Sequence, residues 1–180
     1  VVTVTITGVN DTASIAGDAS GAVTEEDDAS LLTANGTLTI SDVDTDEAVF
    51  VAQTNTAGSA GLGTFNLGTN GAWTYAASNT NATIQALGTG ETTTDTFTAV
   101  SADGTTQVVT VTITGVNDAA SIAGVSTGAV TEETASSLTA AGTLTITDVD
   151  TGEAVFVAQT NIAGSAGLGT FNLGTNGAWT

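Results

Sequence analysis

The stretch "VVTVTITGVND" occupies residues 1–11 and returns letter for letter at residues 108–118, an offset of 107 residues. Its first seven positions alternate valine or isoleucine with threonine. A period of two in β-branched residues predicts a half-buried strand, and the Gly-Val-Asn-Asp that follows predicts the turn or linker ending it. An identical return at this distance indicates tandem repeats of about 107 residues.

Two further stretches repeat in the same order. "GAVTEE" at residues 21–26 returns at 128–133, and "GTLTI" at 36–40 returns at 142–146 after a deletion of one residue. The final residue, Thr180, matches Thr74 of the first copy. We therefore predict the last strand and linker of a preceding repeat at 1–11, a complete repeat at 12–118 and a truncated second repeat at 119–180.

Within the complete repeat almost every segment has strand character. Alternation continues at residues 37–40, 48–52, 96–100 and 109–114. Asn70-Gly71 and Asp103-Gly104 each separate two such segments and predict hairpin turns. Residues 81–87 have the one helical spacing, with Ile84 and Leu87 on the same side, and predict a single turn of helix.

About seven strands in about 107 residues, with one crossover, are typical of an all-β, immunoglobulin-like Greek-key sandwich. Aromatic side chains of the repeat are expected to fill its core because large rings prefer burial. An alternative is that Trp73 and Tyr75 form an exposed platform for stacking a sugar. The expected core aromatics are Phe50, Phe65, Trp73, Tyr75 and Phe97.

Composition restricts the partners. The 180 residues include 19 Asp and Glu but no Lys, Arg or His, giving a net charge of −19. Such a chain has no Lys or Arg to contact phosphate groups, so nucleic acid and anionic membrane surfaces are unfavourable partners. We expect neither a transmembrane helix nor an amino-terminal signal peptide. Without Cys or His, only oxygen ligands are available to a metal.

The sandwich topology brings the acids together, because alternate loops lie at the same end of the body. At the proximal end, which receives the preceding linker, we expect Asn10, Asp11, Asp42, Asp44, Glu47 and Asp103. The distal end, from which the chain leaves, should hold Glu25, Glu26, Asp27, Asp28, Glu91, Asp95, Asn117 and Asp118. These distal residues would face Asp148, Asp150 and Glu153 of the next repeat.

Carboxylates gathered this closely repel one another by about 4 kcal/mol per pair at 4 Å and intermediate dielectric. A hard divalent cation with six to eight oxygen ligands would neutralise them, and Ca²⁺ tolerates irregular geometry better than Mg²⁺. The sequence thus predicts Ca²⁺ shared between adjoining repeats. An alternative is that acids in turns only solubilise the protein. An EF-hand is excluded, because Glu47 and Gln53 stand where that loop needs Gly and Glu.

The motifs "GTLTISDVDTDEAVFVAQTN", "GTFNLGTNGAWTY" and "VTVTITGVND" together resemble the VCBS repeat, found in tandem in very large bacterial surface and secreted proteins. The resemblance implies an immunoglobulin-like or cadherin-like fold, type I secretion in many cases, and a role in adhesion or biofilm. Similarity to cadherin linkers further implies Ca²⁺ ligation. The residues that match it are Glu25 or Glu26, Glu91, Asn117, Asp118, Asp148 and Asp150.

From these patterns we predict a spacer repeat of an exported adhesin at the bacterial cell surface, stiffened by Ca²⁺, with neighbouring repeats as its partners. The alternative is a Ca²⁺-dependent, lectin-like glycan-binding module. Catalysis is not expected, because no His, Cys or Lys is present as nucleophile or proton shuttle. We also expect the truncated repeat to expose apolar surface, to which the strand at residues 1–7 of another molecule could add.

Overall fold

The computed structural model describes residues 1–26, 30–132 and 137–180. Asp27 and Asp28, two of the acids expected at the distal end, lie outside the described residues. The chain divides into two compact units, Val1–Val116 and Asn117–Thr180. The repeat boundaries inferred from the sequence remain a prediction.

The regular elements of unit 1 are almost all strands. One short helix, α1, interrupts them, and no described helix is long and apolar enough to cross a membrane. The elements in chain order are β1 (Ser14–Gly17), β2 (Ser20–Thr24), β3 (Leu31–Ser41), β4 (Gln53–Ala57), β5 (Gly63–Leu67), β6 (Ala72–Ser78), α1 (Ala82–Gln85), β7 (Thr92–Val100) and β8 (Thr106–Thr114).

These strands form two sheets. The larger has the order β1-β3-β6-β5-β4, and the smaller has the order β2-β8-β7. Every pair in them is antiparallel except β2 with β8, which run parallel. The first strand expected of an immunoglobulin-like sandwich is therefore split, with β1 in the larger sheet and β2 in the smaller. The predicted all-β immunoglobulin-like sandwich is confirmed.

Local signals place the connections where the sequence predicted them. Gly71 (φ 83°) closes the β5–β6 hairpin and Gly104 (φ 90°) closes the β7–β8 hairpin. A left-handed backbone at both positions explains the glycine in each pair. The single helical turn is α1, capped by Asn81, whose side chain accepts a hydrogen bond from the Thr83 N–H. The helical side chain of Ile84 is fully buried.

Two predicted strands are absent from the described structure. Within residues 48–52 only Phe50 forms a β-bridge, to Ser101 just after β7. The chain then changes sheets, since the next strand, β4, pairs with β5. Residues 1–7 belong to no strand, since none of the described strands pairs with them. Their identical copy lies in β8, where β2 and β7 supply neighbours on both sides.

The aromatic core is confirmed. Phe50, Phe65, Trp73, Tyr75 and Phe97 are all at most 4% exposed, and the Trp73 indole N–H donates to the Asp18 carbonyl at 2.7 Å. Phe65 contacts the rings of Tyr75 and Phe97, each at a centroid distance of 4.6 Å. Trp73 and Tyr75 therefore form no exposed platform for a sugar.

Asp95 was expected in a distal loop, and this prediction is wrong. It lies within β7 on the inward face and is fully buried. Its carboxylate accepts N–H groups of Ala60, Leu62 and Gly63 at 2.8–3.2 Å, and the Tyr75 hydroxyl at 3.3 Å. Burial and the adjacent Asp95 carboxylate raise the pKa of Tyr75. Asp95 thus organises the loop between β4 and β5 from inside the sandwich.

Unit 2 repeats only the larger sheet among its described residues. Its strands are arranged in the order β11-β12-β13-β10-β9. They are β9 (Ser121–Gly124), β10 (Gly142–Thr147), β11 (Gln159–Ala163), β12 (Thr170–Leu173) and β13 (Ala178–Trp179). Leu168 is 93% exposed and Phe171 is 54% exposed, whereas their counterparts Leu62 and Phe65 are buried. The expectation of exposed apolar surface in this unit is therefore confirmed.

Gly36 is predicted to be required for packing. It lies opposite Trp73 in the β3–β6 pair, and an added Cβ would come within 2.6 Å of the indole ring. Gly36→Ala should lower the free energy of unfolding by about 1–3 kcal/mol because it overpacks the core. Urea unfolding followed by circular dichroism measures the change. Gly8→Ala is the control, since an added Cβ there meets no atom within 4 Å.

Candidate metal centre

The loop after β3 folds around its own acids. The Asp44 N–H donates to Asp42 Oδ1 at 2.8 Å, and the Glu47 N–H donates to the Asp44 carbonyl at 3.5 Å. Asp46 takes a left-handed backbone with φ 67°, which Asp tolerates better than most residues. This compact turn directs Asp42, Asp44 and Glu47 to one place. One oxygen of each lies within 4.8 Å of the others.

The linker closes over this loop. The Asp11 N–H donates to Asp44 Oδ2 at 2.6 Å, and the Ala13 N–H donates to Asp103 Oδ2 at 2.9 Å. The linker is thereby joined to Asp44 and Asp103, which lie 33 and 90 positions further along the chain than their respective partners. The Asn10 side-chain amide instead donates to the Asp11 carbonyl at 2.8 Å. Backbone N–H groups of the linker thus join Asp11 to Asp44 and Ala13 to Asp103.

Asp103 and Glu47 are stabilised in opposite charge states. The Asp103 carboxylate accepts the Ala13 N–H, the Ser101 hydroxyl and both the hydroxyl and N–H of Thr105, and these bonds hold its pKa far below the usual range. The pKa of Glu47 is raised, first by loss of solvent and then by the charges of Asp44, Asp42 and Asp103. Loss of solvent and the neighbouring carboxylates therefore disfavour ionisation of Glu47.

The donor set fits a hard divalent cation. Glu47 Oε2 and Asp42 Oδ2 are shielded from solvent and have no hydrogen-bond partner among the described residues. Two oxygens bound to one Ca²⁺ ion at about 2.4 Å lie at most about 4.8 Å apart, and the three carboxylates each offer an oxygen within this limit. A cation bound there would satisfy both unpartnered oxygens and remove the repulsion at Glu47. Asp42, Asp44 and Glu47 are the residues that could hold it.

Unit 2 repeats the hydrogen bonds of the linker and of the Asp-x-Asp pair at its own proximal end. The Asp118 N–H donates to Asp150 Oδ2 at 2.8 Å, and the Asp150 N–H donates to Asp148 Oδ1 at 3.0 Å. Asp150 is only 3% exposed, and its Oδ1 has no partner among the described residues. The exposed Glu153 corresponds to Glu47, and its N–H donates to the Asp150 carbonyl at 3.3 Å. The Asn117 side chain bonds to the Asp118 carbonyl, as Asn10 does to Asp11.

At the distal end of unit 1, Glu25 and Glu26 differ in burial and in hydrogen bonding. Glu25 is 1% exposed, accepts the Val116 N–H at 3.2 Å, and accepts the side-chain amide of Gln85 from α1. Glu26 is exposed, and its main chain bonds to the Asn79 side chain. Only Glu25 therefore directs its carboxylate toward the departing chain.

Glu91 approaches the same strand end through its backbone. The Gly115 N–H donates to the Glu91 carbonyl at 2.8 Å, while the Glu91 side chain accepts the Gly88 N–H at 3.3 Å. Gln85 was not predicted as a residue of this end. Its only signal in the sequence is its position in the short helix that Asn81 caps. Ser101 and Thr105, which hold Asp103, were also missed, although each lies two residues from it.

Comparison with known proteins agrees with this architecture. The model of the bacterial cadherin-like domain family matches residues 10–115. The match covers most of unit 1, including the linker residues and the loop acids described above. The chain belongs to the bacterial cadherin-like domain family. No curated protein matches the chain.

Glu47→Gln is predicted to stabilise the metal-free protein. Since the folded-state pKa of Glu47 lies above its ordinary value of 4.5, ionisation at neutral pH disfavours the fold, and the amide removes this effect. In EDTA the variant should melt at a higher temperature than wild type near neutral pH, with the difference vanishing below pH 4.5. Asp46→Asn, the same charge change in the same loop, should give a smaller gain.

Asp103→Asn is predicted to have the opposite pH dependence. Because the folded-state pKa of Asp103 lies below its ordinary value of 3.8, the carboxylate stabilises the fold above that pH. Its contribution is lost as the pH falls below 3.8 toward the folded-state value. The variant should therefore melt below wild type near neutral pH in EDTA, and the difference should shrink on acidification. A difference that stays constant with pH would contradict the assignment.

Proposed function

We propose that this chain is a spacer of a large bacterial adhesin, in which Ca²⁺ bound between successive cadherin-like units converts a flexible string into a stiff rod. The observation that carries the proposal is the repeated proximal geometry. In both units the linker Asp donates its N–H to the second Asp of an Asp-x-Asp pair, whose own N–H bonds to the first. A linker tied to ligand residues would lose freedom when those residues bind an ion.

The shared ligands are assigned as follows. From unit 1 we propose the carboxylates of Glu25, which accepts the Val116 N–H, and of Glu91, whose backbone carbonyl accepts the Gly115 N–H. Unit 2 would supply Asp118, Asp148 and Asp150, with oxygens from Asn117 and Glu153 completing the shell. The buried, unpartnered Oδ1 of Asp150 supports this assignment, because a buried carboxylate oxygen without a donor is costly unless a cation neutralises it. At the proximal end of unit 1, Asn10, Asp11, Asp42, Asp44, Glu47 and Asp103 have the corresponding role toward a preceding unit.

The wider context is also a proposal. Resemblance of the repeat motifs to VCBS repeats supports type I secretion, a cell-surface or extracellular location and a role in biofilm. Neighbouring repeats would be the direct partners, with matrix or cell-surface glycans and proteins bound by other domains. The family is not a catalytic one, and the loop acids lie on polar turns rather than in an apolar cleft. We therefore propose a mechanical role and no enzymatic one.

The lectin-like alternative has less support. Its stacking platform would be Trp73 or Tyr75, and each is 1% exposed. A Ca²⁺ ion in the loop after β3 could still bridge sugar hydroxyls, but no aromatic ring of unit 1 is exposed to accompany it among the described residues. The spacer accounts for the acids, the linker contacts and the repeat together.

Calcium is predicted to stabilise and lengthen the chain. Millimolar Ca²⁺ should raise the melting temperature, since about 100-fold excess over the dissociation constant adds roughly 2.7 kcal/mol per site. Small-angle scattering should show a larger maximum dimension in Ca²⁺ than in EDTA, because both units would be tied to the same ions. Stabilisation without lengthening would leave ion binding intact but contradict the rod.

The matched pair Asp44→Asn and Asp46→Asn tests the ligand assignment in unit 1. Both changes remove one charge from the same loop, but only Asp44 belongs to the carboxylate cluster, and Asp46 is exposed. Asp44→Asn should weaken Ca²⁺ binding by about tenfold or more, in keeping with loss of a charged ligand. Asp46→Asn should bind almost as wild type in isothermal titration calorimetry. Equal losses in both variants would indicate general charge screening instead of a site.

A further inference from the structure

Asp95 places a carboxyl group in the core of unit 1, and the ion sites proposed above do not use it. It is fully buried within β7 of the smaller sheet. The chain has no Lys, Arg or His that could pair with it. A buried carboxyl group is unfavourable unless hydrogen-bond donors surround it. The origin of these donors therefore shows which parts of the fold depend on Asp95.

Four donors come from the larger sheet. The Ala60 N–H donates to Asp95 Oδ1 at 2.8 Å. The N–H groups of Leu62 and Gly63 donate to Oδ2 at 3.2 and 3.0 Å. These three residues lie in the loop between β4 and β5 or at the start of β5, and the Tyr75 hydroxyl of β6 adds a bond to Oδ2 at 3.3 Å. The Asp95 side chain thus joins the smaller sheet to the larger one.

These contacts lie on the side of the sandwich where the edge strands β4 and β7 meet. On the opposite side the chain itself joins the sheets, because β1 continues into β2 after two residues. Near the proximal end of the β4–β7 side, the Val51 N–H donates to the Val100 carbonyl at 2.8 Å. Near its distal end, the Ser59 N–H donates to the Thr96 carbonyl at 2.8 Å. The described strands β4 and β7 do not pair, so the backbone closes this side only in part.

The loop between β4 and β5 is shaped to fit the carboxyl group. An added Cβ on Gly58 would lie 2.1 Å from the carboxyl atoms of Asp95. Gly58 does not have a left-handed backbone, so the close approach of Asp95 is what requires a glycine here. The Gly58 N–H also donates to the Gly63 carbonyl at 3.0 Å, which closes the loop around the carboxyl group.

We propose that Asp95 is a non-covalent crosslink between the two sheets, which keeps the β4–β7 side of unit 1 closed with or without Ca²⁺. Antibody domains join their two sheets by a disulfide, and this chain has no Cys to form one. Asp95 lies outside the carboxylate cluster of Asp42, Asp44 and Glu47. Closure of the unit is thereby assigned to a different acid from those proposed to bind ions.

Residue-resolved amide hydrogen exchange of the 180-residue chain tests the closure. Asp95→Asn keeps the size of the side chain but places an NH₂ group against N–H donors. The Ser59 N–H crosses this side without bonding to Asp95, and should exchange at least about tenfold faster in the variant. The reference is the Leu38 N–H, which bonds to the Gly71 carbonyl and should accelerate less.

Equal acceleration at Ser59 and Leu38 would overturn the proposal, because it would show a general loss of stability in place of an opening at one side. Asp46→Asn is the control for loss of one charge. Asp46 is exposed and far along the chain from β7, so this variant should change neither exchange rate.

A double-mutant cycle tests the fit between Gly58 and Asp95. The methyl group of Gly58→Ala overlaps the carboxyl group in wild type, and Asp95→Ala vacates that space. Gly58→Ala should therefore raise the equilibrium constant of urea unfolding at least about tenfold more in wild type than in the Asp95→Ala background. The control, Gly36→Ala, meets Trp73 instead and should have the same effect in both backgrounds. Equal effects of Gly58→Ala in both backgrounds would overturn the fit.

Tyr75→Phe is the milder variant, for use where Asp95→Ala does not fold. It removes one of the four donors and keeps the buried ring, so exchange at Ser59 should accelerate by about threefold or more relative to Leu38. An unchanged ratio of the two rates would contradict the crosslink.

The exchange measurements are made both in EDTA and in Ca²⁺. The effect of Asp95→Asn should be the same in each, and an effect that disappears in Ca²⁺ would overturn the proposal. Failure of Ca²⁺ to lengthen the chain would contradict the stiffened spacer and would leave these exchange ratios unaffected.

Discussion

The absence of any cationic side chain is the constraint on which the rest of this structure depends. Nineteen carboxylates must be stabilised by backbone N–H groups, hydroxyls, water or a metal, since no Lys, Arg or His can pair with them. Burial of an ionised carboxyl without such help is strongly unfavourable. The surroundings of each buried or crowded acid therefore show which of these partners is available to stabilise its charge.

Two solutions occur within unit 1. Asp95 and Asp103 are supplied with N–H and hydroxyl donors, and each fixes a neighbouring loop or linker. Asp42 and Glu47 retain shielded oxygens without donors among the described residues, beside a third carboxylate. The first arrangement is complete without an ion, whereas a bound cation would neutralise the second. This difference separates structural acids from candidate ligands more clearly than their positions in the sequence do.

Much of the fold could be predicted because its signals are local. Alternation identified β3, β7 and β8, glycine after Asn70 and Asp103 identified two hairpins, and exact repetition identified the tandem units. The state of the remaining residues depends on distant partners. Residues 48–52 alternate as a strand does, but the chain exchanges sheets there. Residues 1–7 and 108–114 share one sequence and differ in structure because only the second copy lies between β2 and β7.

By itself, the sequence determined the all-β class, the repeat, the aromatic core and the absence of any residue able to compete with a metal for its acids. Composition and periodicity suffice for these properties because each follows from residue type or from neighbours in the chain. Only the tertiary structure decided that Asp95 is buried in the sandwich, that Glu25 rather than Glu26 turns toward the departing strand, and that Asp11 bonds to Asp44. Those outcomes depend on which backbone N–H groups the packed sheets bring within hydrogen-bonding distance of each carboxylate, and contacts between residues tens of positions apart arise only after the chain has folded.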